Sequence, residues 1–192
     1  GEYRWDILGF IDRERDWTGV VPRVADPLEV VGEWRGAAVA VGTGDNMGAA
    51  LGLGVQPGQA VVSLGTSGTA FTVADAPTAD PTGAVAGFAD ATGRYLPLVC
   101  TLNATKVLNA VARLLAVDRA EFDRLALSAA PGAGGLTLLP YFDGERTPNL
   151  PTAAGLLAGL RSDVSREQLA RAAVEGVVCG MLDALDALRA HA

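Results

Sequence analysis

At 192 residues the chain is long enough to bury a real core, as one domain or as one domain with part of another. Its 49% hydrophobic and 19% charged residues exclude a disordered chain. The 15 basic residues are scattered and outnumbered by 22 acidic ones, giving a net charge of −7; this excludes a nucleic-acid footprint and otherwise speaks only for solubility.

In chain order, the pattern first predicts a short helix at Trp5–Ile11, with loop and at most short elements up to Gly36. Ala37–Val41 is a short apolar run with β-branched residues and reads as a buried strand. It runs into Gly42-Thr43-Gly44-Asp45-Asn46, and Met47–Leu53 then reads as the start of a tightly packed helix. After the turn Gln56-Pro57-Gly58 come two apolar runs, Ala60–Leu64 and Thr69–Val73, joined by Gly65-Thr66-Ser67-Gly68. They predict a β-hairpin with a polar tip. A loop over Ala74–Gly83 and a strand at Arg94–Thr101 follow. Helices are expected from about Asn103 to Ala116 and from Arg119 to Ala130, the second with Asp118 and Glu121 at capping-box spacing. Leu136–Tyr141 reads as a buried strand and Asp143–Pro151 as a loop. In the last segment Ser165 and Gln168 form a capping-box pattern, and Leu169, Ala173, Val177, Met181 and Leu185 recur every fourth residue. Gly176 and Gly180 would let that helix press closely on a neighbour. Strand–turn–strand units followed by helices make the chain α/β.

Cys100 and Cys179 sit in apolar runs and read as reduced core residues. No cluster has metal-ligand spacing, and the one histidine is His191. No apolar stretch reaches transmembrane length and no secretory signal opens the sequence, so no membrane association is expected and a cytoplasmic location follows by default.

Two segments carry candidate chemistry. In Gly65-Thr66-Ser67-Gly68 the flanking glycines permit unusual backbone angles, so that successive N–H groups and two hydroxyls could hold a phosphate. An ordinary hairpin turn is the other reading. Asp45, in a glycine-rich turn after a strand, could take a proton from a hydroxyl that attacks phosphorus. It could equally cap the following helix or close an Asx-turn. One short helix and a turn separate the two segments, so a base and a phosphate cradle can meet in one cleft, as phosphoryl transfer requires.

The run Gly42-Thr43-Gly44-Asp45-Asn46 followed by Ser63-Leu64-Gly65-Thr66-Ser67-Gly68 resembles the signature of the FGGY carbohydrate kinase family in its xylulokinase form. Leu139-Pro140-Tyr141 with Gly144-Glu145-Arg146-Thr147-Pro148 is similar to that family's P-Y-x-x-G-E-R-x-P loop. Gly155-Leu156-Leu157-Ala158-Gly159-Leu160, then Gln168-Leu169 and Ala172-Ala173-Val174-Glu175, match its second signature. Four motifs in order cover about Val41 to Leu188.

The resemblance implies an actin-like ATPase (ribonuclease H-like) fold. Residues 1–57 would be the tail of the sugar-binding domain and 58–192 the front of the ATP-binding domain. It implies transfer of the γ-phosphoryl group of Mg2+-ATP to a ketose hydroxyl, D-xylulose to D-xylulose 5-phosphate first among them. Asp45 would be the catalytic base and, with Asn46, touch the sugar; Gly65, Thr66, Ser67 and Gly68 would face the ATP phosphates. ATP and Mg2+ are the implied cofactors, a small sugar and ATP the partners, and a homodimer the assembly seen among relatives. Glu145 and Arg146 could simply form a loop ion pair, and Lys106 reads as a solvated helix residue.

The pattern departs from the family in length. The D-x-G-T phosphate loop, the sugar-gripping residues and the glycine-rich adenosine segment have no counterpart here. A catalytically incomplete actin-like fragment serving as a structural or interaction module is therefore a second expectation. A kinase of the same family for ribulose, gluconate or glycerol is a third.

Overall fold

The structure, a computed structural model, describes residues 2–191. The chain divides into two units, Gly1–Gly44 and Asp45–Ala192.

In the first unit the helix α1 spans Trp5–Ile11, and β1 (Val30–Trp34) pairs antiparallel with β2 (Ala37–Ala40). The connection is Arg35-Gly36, at φ 51° and 80°. Left-handed values at both positions are what a two-residue hairpin needs to match strand twist. The sequence pattern shows β2 and misses β1, whose Val30-Val31-Gly32-Glu33-Trp34 mixes apolar and polar residues without alternation. The expected burial of the first strand does not hold: every residue of β2 is exposed, and no residue of 2–44 is buried.

The second unit begins with α2 (Asp45–Leu53). Its sheet contains β3 (Ala60–Leu64), β4 (Gly68–Thr72), β5 (Ala86–Ala89) and β6 (Tyr95–Thr101) in the order β3-β4-β6-β5, with antiparallel neighbours throughout. Alternation along a strand sends residues to opposite faces. Phe71, Val73, Leu96 and Leu98 accordingly pack with Ala50 and Val55 around α2, while Ala70 and Val99 pack with Met181, Ala184 and Leu188. Short β5 has only Phe88 as a large apolar residue and forms because β6 offers it a partner strand.

Beyond the sheet come α3 (Thr105–Leu114), α4 (Arg119–Ser128), β7 (Thr137–Leu139), β8 (Leu156–Ala158) and α5 (Arg166–Arg189). The Asp118 side chain caps α4 by accepting from Glu121 N at 2.9 Å. The Ser165/Gln168 box opens α5 in both directions, Gln168 N to Ser165 Oγ at 3.3 Å and Ser165 N to Gln168 Oε1 at 2.9 Å. The N-terminal half of α5 packs with Val107, Val111, Phe122, Leu125 and Leu138 in the largest apolar cluster; Met181, Ala184 and Leu188 in its other half cover the sheet. One helix thus belongs to both cores. Gly176 does what its type suggests, since any Cβ there would strike Leu138 O. At Gly180 a Cβ would meet only Pro140 Cγ, at an ordinary 4.0 Å. Cys100 is half-buried and Cys179 exposed, both free, so the core reading fails for Cys179.

Two predictions follow from this packing. A Cβ on Gly68 would press on Met181 Sδ and lie 2.7 Å from Thr101 Oγ1, inside the sheet–α5 core. Gly68→Ala should lower unfolding free energy by about 1–3 kcal/mol in urea titration, as overpacking does; an unchanged midpoint would contradict the packing. In the 74–85 loop, the Asp80 carboxylate accepts from Val85 N (2.9 Å), Thr82 N (2.8 Å) and the Thr82 hydroxyl. These bonds, the Val85 N–H foremost, pull its pKa from 3.8 to about 2, with His191 adding a smaller attraction. Because the folded value is depressed, the loop gains this support above the ordinary value and loses it as pH falls through about 2. Carbon-detected titration of the Asp80 carboxyl should show that midpoint; an ordinary midpoint near 3.8 would refute it.

Candidate active site

Asp45 is the first residue of α2 and is exposed. Its Oδ1 accepts from Asn46 N at 2.8 Å and from Asn46 Nδ2 at 3.2 Å. Among the described residues it accepts nothing from residues 47 or 48, where a helix-capping carboxylate would be engaged. Asn46 also accepts from the Thr69 hydroxyl, at 3.4 Å on Oδ1. The start of α2 is therefore tied to the start of β4, immediately after the hairpin tip.

Leu64 and Gly68 close the β3–β4 hairpin, and Gly65 N donates to Ser67 O at 3.0 Å within its tip. Backbone freedom is not why glycine stands here: neither Gly65 nor Gly68 has a positive φ. Gly68 is needed for space, against Met181 and Thr101.

The tip rests on the first turn of α3. Thr105 N and Thr105 Oγ1 donate to Gly65 O at 3.0 and 2.7 Å, and Ala104 N and Lys106 N donate to Thr66 O at 3.3 and 3.4 Å. A helix begins with N–H groups that lack intrahelical partners. The residue before α3, Ala104, has no side-chain cap. Hairpin carbonyls take that role, which consumes these helix donors and fixes the tip. Among the described residues, the N–H groups of Thr66 and Ser67 and both hydroxyls have no hydrogen-bond partner. All of the tip except Gly68 is exposed. Such a constellation of donors can hold phosphate oxygens.

The Gly144-Glu145-Arg146 loop differs from the ion pair considered above. Glu145 is only 3% exposed and forms no salt bridge among the described residues. Its Oε1 accepts from Leu102 N (2.5 Å) and Arg146 N (2.7 Å), and its Oε2 from Asn103 Nδ2 (2.8 Å). Asn103 Nδ2 donates also to Gly144 O at 2.7 Å. Lys106 is not simply solvated either, since its Nζ lies 3.1 Å from Asp143 Oδ2. Burial, with Asp183 and Glu145 nearby, pushes the Tyr141 phenol above its ordinary 10.0, so it is protonated at neutral pH.

Sequence reasoning missed Thr69, Asn103 and Thr105. Each acts on a partner 23 to 42 residues away, which no local pattern encodes. A cavity of about 600 Å3 lined by Val62, Ala60, Leu185 and Leu188 includes none of the candidate residues.

Residues 60–192 match the profile of the FGGY family of carbohydrate kinases, C-terminal domain. The chain is 51% identical over 193 residues to a xylulose kinase of Streptomyces rubiginosus, covering 96% of this chain and 38% of that protein. Among solved structures, xylulose kinase from Bifidobacterium adolescentis is 50% identical with a TM-score of 0.74, over 80% of this chain and 31% of that one. Ligand-bound xylulose kinase from Lactobacillus acidophilus aligns over 97% of this chain and 41% of that one, with a TM-score of 0.86 at 25% identity. The chain thus spans well under half the length of the relatives it matches, and it shares their α/β, actin-like fold. On the profile and the identity together, the chain belongs to the FGGY family of carbohydrate kinases.

Proposed function

We propose that this chain forms part of an ATP-dependent sugar kinase that converts D-xylulose to D-xylulose 5-phosphate. The observation that carries the reading is the Asn46–Thr69 link, which ties the Asp45 helix start to the strand leaving the donor-rich hairpin. The relatives named xylulose kinase support the choice of sugar. Residues 58–192 are then the first part of the ATP-binding domain and 1–57 the tail of the sugar-binding domain. The α2 helix, though in sequence part of that tail, lies in one compact unit with the sheet and packs on it through Ala50. ATP as donor fits a cytoplasmic enzyme.

In the proposed reaction Asp45 takes the proton of the sugar 5-hydroxyl while that oxygen attacks the γ-phosphorus. The new O–P bond forms as the bond to the β–γ bridging oxygen breaks, and ADP leaves with that oxygen. The N–H groups and hydroxyls of Thr66 and Ser67 hold the γ-phosphoryl oxygens, on which the charge is spread. Asn46 fixes the Asp45 carboxylate and stands beside the sugar. Gly65 and Gly68 shape the tip. Among the described residues no three His, Cys, Asp or Glu side chains converge on a cation. Mg2+ would enter with ATP, held mainly by phosphate and water, and would neutralise part of the phosphate charge.

The test is sugar-dependent ATP turnover by the longer kinase that carries this chain. Asp45→Asn should reduce turnover roughly 10²–10⁴-fold while leaving the KM for ATP nearly unchanged. Turnover near that of the parent enzyme would remove Asp45 from the chemistry. Turnover on gluconate or glycerol, and not on D-xylulose, would change the substrate.

A further inference from the structure

We infer that Glu145 is a positioning residue for the phosphate-binding hairpin, acting through the Leu102–Asn103 junction and the first turn of α3. The inference rests on the role proposed above for Thr66 and Ser67.

A carboxylate removed from water is destabilised unless donors replace its hydration. Glu145, buried on a loop, has none of its three donors from a cationic side chain. Two of them, Leu102 N and Asn103 Nδ2, belong to the two residues that join β6 to Ala104 and α3. The next three residues, Ala104, Thr105 and Lys106, supply every contact from α3 to the hairpin carbonyls. Hydrogen bonds from Glu145 to residues 102–103, the backbone that joins these to 104–106, and hydrogen bonds from 104–106 to Gly65 O and Thr66 O therefore form one line.

The Asn103 amide reinforces the line. Its Nδ2 is shared between Glu145 Oε2 and Gly144 O, while its buried Oδ1 has no partner. Turning the amide over would set an oxygen against a carboxylate and a carbonyl, so Glu145 selects the orientation. Gly144 lets the loop reach this point: it has φ +78°, and any Cβ on it would strike Pro151 O. The same loop also reaches α3 itself, where Asp143 Oδ2 lies 3.1 Å from Lys106 Nζ. One loop thereby holds both the residues that lead into α3 and the second residue of the helix.

Glu145→Gln is the discriminating variant. It keeps an oxygen for Leu102 N and Arg146 N but turns a donor toward Asn103 Nδ2. Amide exchange on the 192-residue chain should then speed up roughly tenfold or more at Ala104, Thr105 and Lys106, with Phe71 and Val99 in the sheet unchanged. Equal acceleration everywhere, or none at residues 104–106, overturns the inference. If Glu145→Gln does not fold, Thr105→Val reads the last link, and unchanged exchange at Lys106 would overturn it.

In the longer kinase, Glu145→Gln should lower kcat/KM for ATP on the order of 10²-fold, as a small misplacement of phosphate donors does, with the KM for D-xylulose unchanged. A comparable rise in the KM for D-xylulose would point to a merely structural role and overturn the inference. If the parent enzyme has no sugar-dependent turnover, the kinase reading fails, and the exchange measurement still decides whether Glu145 fixes the hairpin.

Discussion

The first turn of α3 does not hold an anion; it holds the carbonyls of a hairpin. Ala104, Thr105 and Lys106 direct their N–H groups, and Thr105 its hydroxyl, at Gly65 O and Thr66 O. Helix-start donors are otherwise left to solvent or a capping side chain. Here they fix a three-residue loop that would be the most mobile part of the sheet. With its carbonyls held below, the tip has its remaining donors, on Thr66 and Ser67, to offer elsewhere. Preorganised donors of this kind stabilise developing charge without having to reorganise.

This contact needs the rest of the unit in register. β4 and β6 bring Gly68 opposite Thr101, which places the hairpin beside the β6–α3 junction. The α5 helix backs both, with Met181 against the strand pair and Val177 in the helical cluster. Met181, Thr101 and Gly68 meet so closely that a Cβ at position 68 would have to displace a neighbouring side chain. On the other face α2, whose first residue is Asp45, is held by Ala50 against Phe71 and Leu98. Base candidate and phosphate candidate are therefore set by opposite faces of one sheet, and Asn46–Thr69 joins them at its end.

Much of this was legible locally. The α4 and α5 caps announce themselves because a capping box is a contact within four residues. The β3–β4 hairpin is written in two apolar runs about a glycine-bounded tip. Asp45 and the tip stand out by type and spacing. What could not be read depends on distance along the chain. Glu145 looks like half of an exposed ion pair until the fold buries it under Leu102 and Asn103. Gly68 looks like a turn glycine needing backbone freedom until α5 arrives behind it. β5 and β8 are short runs that become strands only because β6 and β7 lie alongside. The first strand hairpin shows the converse: β2 has the composition of a buried strand, yet none of its residues is buried.

The most direct measurement is a crystal structure of the longer kinase with D-xylulose and a non-hydrolysable ATP analogue. The account predicts γ-phosphate oxygens within about 3 Å of Thr66 N and Ser67 N, the Asp45 carboxylate at the sugar hydroxyl, and Gly65 O and Thr66 O still seated on α3. A γ-phosphate bound away from the hairpin, or a tip lifted off α3 to reach it, would contradict the account.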